Sequence, residues 1–69
     1  MLLSEKKAVN QMDKKLNVLI VEDDPMARQL LEIYIDKSEK YELAGSIESA
    51  MFAEAFCRTH RVDVILMDV

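Results

Sequence analysis

Glycine, proline and cysteine each occur once in this 69-residue chain, and tryptophan does not occur at all. The single glycine, Gly45, excludes a dinucleotide fingerprint, which needs three glycines, and a P-loop, which needs two. The single cysteine, Cys57, excludes an internal disulfide and points to a reducing, cytoplasmic setting. With only one histidine beside it, thiolate zinc clusters and Cys/His nucleophile pairs are also disfavoured. No window approaches the ~18 apolar residues of a membrane-spanning helix, and the opening MLLSEKKAVNQ lacks the apolar core of a signal peptide. A chain this short forms at most one small domain and buries only roughly 60% of its unfolded surface.

Charge is unevenly spread. Residues 1–15 hold four lysines against Glu5 and Asp13, a net +2, while residues 16–69 hold five basic and eleven acidic residues, a net −6. An acidic body argues against binding a nucleic-acid backbone. Residues 1–14 lack strong periodicity and read as a solvated N-terminal tail, partly helical at most, ahead of a folded unit over 15–69.

That unit alternates strand and helix. Leu16–Val21, LNVLIV, is a short run of branched apolar residues suited to a strand buried on both faces. It ends at Glu22-Asp23-Asp24. Asp24-Pro25 then starts a helix, with Asp as N-cap and Pro at the first helical position. The helix is expected over Met26 to about Ser38, with Ala27, Leu30, Leu31, Tyr34 and Ile35 on one stripe. Tyr41–Ala44 reads as a second strand that Gly45-Ser46 breaks, with Ser46 as the next N-cap. A second helix is expected from Ile47 to about His60, its apolar face formed by Ala50, Met51, Phe52, Ala53, Phe56 and Cys57. Val62–Met67 is the third strand, joined through Arg61. The order β-α-β-α-β implies a parallel sheet with helices on both faces, and chemistry at the carboxyl ends of the strands.

Placing the first and third strands side by side brings Glu22, Asp23 and Asp24 to the same sheet edge as Asp68. Neighbouring strands lie about 4.8 Å apart, so these carboxylates can converge. Crowded like charges repel, and a cation among them relieves that repulsion. Oxygen donors suit hard cations, and Mg²⁺ favours one or two carboxylates plus water and phosphate oxygens. A carboxylate can also act as a nucleophile toward phosphorus.

VLIVEDDP before a helix, followed by VDVILMDV with Asp68 forty-five residues after Asp23, resembles the receiver domain of bacterial two-component response regulators. YELAGSIESA is similar to the second strand and second-helix start of such domains. The resemblance implies the first half of a flavodoxin-like α/β sheet, order 2-1-3 and truncated after the third strand. It implies that Asp68 accepts a phosphoryl group from a sensor histidine kinase, without the chain being an enzyme in its own right. Mg²⁺ would be held by Glu22, Asp23 and Asp68, with Asp23 the direct ligand of the acidic pair and Glu22 the water-mediated one. It further implies that the Ser/Thr, the Lys and the backbone carbonyl that complete such a site fall beyond residue 69. The third strand would then be an open apolar edge at Val64–Met67, inviting self-association.

Two other readings stand beside this one. An aspartyl-phosphate phosphatase or phosphotransferase would also place a nucleophilic Asp on an α/β sheet, and an interaction module or inert fragment would never carry phosphate. Single residues have plain structural readings as well. Glu22-Asp23-Asp24 suits a helix N-terminus, Cys57 a buried apolar position, His60 a cation at a helix C-terminus, and the methionines core filling.

Overall fold

The computed structural model describes residues 14–67 together with the backbone of residues 2–4. In chain order the elements are β1 (Leu2–Ser4), β2 (Leu16–Val21), α1 (Pro25–Asp36), β3 (Tyr41–Ile47), a 3₁₀ turn (Ala50–Phe52), α2 (Ala53–Thr59) and β4 (Val64–Met67). They build a four-stranded sheet in the order β1-β4-β2-β3. β2 is parallel to both of its neighbours, β3 and β4. The three parallel strands therefore have the expected 2-1-3 arrangement of a partial flavodoxin-like receiver sheet, with β2 central.

The centre of the sheet follows from the branched run. Val18, Leu19 and Ile20 are completely buried and Val21 nearly so, as a strand covered on both faces requires. Val18 and Ile20 join Ile35 of α1 and Val64 and Leu66 of β4 in one core, against which Leu16, Leu31 and Tyr41 pack. The stripe on α1 is narrower than the sequence suggested. Ile35 is buried and Leu31 half-buried, whereas Leu30 and Tyr34 face outward. Asp24 caps this helix as expected, its Oδ1 accepting the Met26 N–H at 3.0 Å, with Pro25 at the first position.

Asp63 belongs to the joint before β4 rather than to the strand. Its N–H donates to the Asn17 carbonyl at 2.8 Å, and its Oδ2 accepts the Asn17 N–H at 2.8 Å. This reciprocal pair fastens β4 beside β2, and the register then runs from Val18 opposite Val64 to Val21 opposite Met67.

The second strand is longer than its sequence suggested. It runs to Ile47 through Gly45 and Ser46, so Ser46 is not a helix cap. The register against β2 shifts between Leu43 and Gly45, leaving Ala44 as a bulged extra residue. Gly45 serves close approach instead of breaking the strand, because a Cβ there would collide with the Phe56 ring. The cap falls to Ser49, whose Oγ accepts the Met51 N–H at 3.2 Å. The following helix is accordingly shorter, a 3₁₀ turn and seven residues of α2. Phe56 is its inward residue. Cys57, about 100° further round the helix, is exposed and not buried as expected. Met51 and Phe52 are exposed too. At the end of α2 the His60 ring stacks on Phe56 at 4.0 Å.

The edge expected to be open is paired. β1 lies antiparallel along β4, with Leu2 opposite Met67, Leu3 opposite Leu66 and Ser4 opposite Ile65. Leu2–Ser4 are thus sheet, not tail, and the expectation of self-association through an uncovered β4 edge loses its premise. The physical reason is that an unpaired apolar edge is a template for any available strand, including one from the same chain. The rest of the expected tail, apart from Lys14, lies outside the described residues.

Candidate functional site

The carboxyl ends of β2 and β4 meet because Val21 pairs with Met67. Immediately beyond Val21 the chain turns into α1 through Glu22, Asp23 and Asp24, and each acid has a different environment. Glu22 is buried, only 7% exposed. Its N–H donates to the Ile47 carbonyl at 3.0 Å, which continues the ladder to β3 by one more bond. Its Oε2 accepts the Asp24 N–H at 3.1 Å. Its carbonyl accepts a hydrogen bond from Arg28 Nη1 at 2.9 Å. Asp24 is committed to the helix cap. Asp23, between them, is exposed.

Glu22 and Asp23 open onto a cleft of about 570 Å³, whose other walls are Val21, Met67 and the segment Glu48, Ser49 and Ala50 after β3. The structure places both Glu22 and Asp23 at this cleft. Asp68, expected as the third acid, lies outside the described residues. Met67, which precedes it, lines this cleft. The sequence reading missed Glu48 and Ser49. Both reach the cleft because β3 continues to Ile47, and the only local hint was the Ser49 side chain, two residues before the amide it caps.

The donor chemistry fits a hydrated magnesium ion. Two carboxylates of unequal exposure at a cleft of this size leave room for water and for phosphate oxygens, the mixture Mg²⁺ prefers. Among the described residues, no three His, Cys, Asp or Glu side chains group closely enough to hold a metal ion by themselves. No described helix is long and apolar enough to cross a membrane.

Comparison with known proteins decides the family. Residues 18–69 match the model of the response regulator receiver domain. The chain belongs to this family. It is 39% identical over 54 residues to the transcriptional regulatory protein MalR of Bacillus subtilis (strain 168), covering 78% of this chain and 23% of that protein. It is 38% identical over 58 residues to protein-glutamate methylesterase/protein-glutamine glutaminase 2 of Paramagnetospirillum magneticum, covering 84% of this chain and 16% of that protein. Protein MrkE of Klebsiella pneumoniae is 32% identical over 62 residues, 90% of this chain and 23% of that protein. The receiver chain therefore spans less than a quarter of the curated relatives it matches. No solved structure matches it. Membership assigns the chain to phosphorelay signalling, and receivers of this family generally bind Mg²⁺.

Proposed function

We propose that this receiver takes a phosphoryl group from the phosphohistidine of a sensor kinase onto Asp68, with Mg²⁺ held by Glu22, Asp23 and Asp68. One observation carries the reading: Glu22, Asp23 and Met67, the residue before Asp68, line a single cleft at the paired ends of β2 and β4. In the transfer, an Asp68 carboxylate oxygen attacks phosphorus as the phosphorus–nitrogen bond breaks. The bonding pair leaves with the kinase imidazole, which takes a proton. Mg²⁺, when bound, supplies charge neutralisation for the incoming phosphoryl oxygens. Asp23, exposed at the cleft, is the direct ligand. Glu22, buried and already accepting the Asp24 N–H, acts through water.

The chain works in the cytoplasm, where a kinase charged by ATP can reach it. The full protein's output is a separate matter, since the named relatives include a transcriptional regulator and a methylesterase/glutaminase.

The test is intact mass before and after acetyl phosphate, with and without Mg²⁺. One added phosphoryl, dependent on Mg²⁺ and absent from Asp68→Ala, is the expected result. No addition to the wild-type chain would assign it a binding role without phosphotransfer.

A further inference from the structure

The acidic turn is held by a residue that lies outside it. Arg28 sits in the first turn of α1, where its own N–H donates to the Asp24 carbonyl at 2.9 Å. Its half-buried side chain reaches back six residues, and Nη1 donates to the Glu22 carbonyl at 2.9 Å. β2 ends at Val21, so this carbonyl lies beyond the described strand, on a residue that is itself buried. A guanidinium donor is directional and permanently charged, which suits it to fixing one carbonyl.

The consequence falls on Asp23. Glu22 on one side is fixed through its N–H, its carbonyl and its carboxylate. Asp24 on the other side is fixed through its N–H to Glu22 and its carboxylate to Met26. The exposed carboxylate is thus carried by a backbone pinned at both neighbours. A ligand held in place before binding loses less freedom when it binds.

We infer that Arg28 is a positioning residue for the cation site, holding the Glu22–Asp24 turn in its binding geometry. The inference rests on the Mg²⁺ site proposed above. Two effects of Arg28 oppose each other. Its bond orders the turn and favours the cation, whereas its charge repels a cation nearby. Substitution therefore has a diagnostic sign. Arg28→Met removes donor and charge together. Arg28→Lys keeps the charge and a donor but loses the rigid fork.

The experiment uses the full chain and three readouts: Mg²⁺ affinity by calorimetry, amide exchange of Asp24 by NMR, and far-UV circular dichroism. Positioning predicts that Arg28→Met weakens Mg²⁺ binding by about tenfold, the low end for partners behind a metal ligand. Arg28→Lys falls between Met and wild type. The Asp24 amide exchanges faster in both variants, while amides of β2 and the circular dichroism spectrum stay unchanged. Mg²⁺ binding that tightens in Arg28→Met, with Arg28→Lys equal to wild type, would overturn the inference in favour of bare charge repulsion. Unchanged Asp24 exchange in Arg28→Met would overturn it as well. If Arg28→Met does not fold, Arg28→Lys carries the same comparison. A wild-type chain that binds no Mg²⁺ would sink the proposed metal site, and the exchange comparison would still decide whether Arg28 orders the turn.

Discussion

Gly45→Ala puts a methyl group where a ring already stands. A Cβ built at this position lies 2.6 Å from Phe56 Cε2 and closer still to Cζ, so the ring must move. Its movement is restricted, because it is stacked on His60 at 4.0 Å with planes 7° apart. Forcing an extra carbon into such a contact costs about 1–3 kcal/mol. Against this, alanine has fewer unfolded conformations than glycine, which returns about 0.4–1 kcal/mol. The backbone of Gly45 is ordinary strand, paired with Leu19, so alanine meets no conformational penalty of its own. Taking the middle of each range, the net expectation is a loss of about 1.3 kcal/mol. With a urea m-value near the low end, roughly 1 kcal/mol/M, the midpoint falls by about 1.3 M. The same substitution in a Phe56→Ala background has no ring to meet. There it should be neutral or stabilising by about 0.4–1 kcal/mol, leaving the entropic gain alone. Four urea curves, wild type, both singles and the double, give the coupling directly. An equal loss in both backgrounds would refute the argument that Phe56 is what requires glycine here.

Two further outcomes follow from contacts in the sheet and the first helix. Asp24→Ala removes the acceptor for the Met26 N–H and should cost about 1 kcal/mol in urea denaturation, and an unchanged midpoint would mean that Pro25 alone starts the helix. Leu3→Pro removes a backbone N–H from the strand that covers β4, so the variant should show a concentration-dependent rise in mass by light scattering while the parent chain does not. A monomeric Leu3→Pro with amides of residues 64–67 still protected would show that the β4 edge needs no cover.

What the sequence made legible was local. Leu16–Val21 announces a strand by its own composition, and Asp24-Pro25 announces a helix start within two residues. The acidic pair stands where a strand ends. Each signal is complete within a few positions, and each appears in the structure where the sequence placed it. The misread features depend on distant partners. Leu2–Ser4 looks like tail because its strand character is supplied by β4, more than sixty residues later. Gly45 looks like a strand breaker because glycine usually is one. Only the ring of Phe56, eleven residues on, reveals that the position calls for a missing side chain. Cys57 looks buried on composition, and its exposure follows from its place about 100° round the helix from the inward residue Phe56.

The misplaced end of the second strand matters beyond bookkeeping of elements, because it moved one wall of the site. Had the strand stopped at Ala44, the Glu48 carboxylate would stand elsewhere. With β3 running to Ile47, beside Val21 at the end of β2, Glu48 follows directly into the same cleft as Glu22 and Asp23. Three acidic residues then face an opening that, on the proposed function, must admit a phosphoryl anion. Like charges lining one cleft oppose its approach, and the opposition grows where protein walls displace water. A bound Mg²⁺ would offset two of those three negative charges. On the proposed function, offsetting that charge becomes a condition for phosphoryl approach, so labelling of this receiver by acetyl phosphate should depend on Mg²⁺ more steeply than the acidic pair alone would require, a difference that Glu48→Gln should remove in the intact-mass assay.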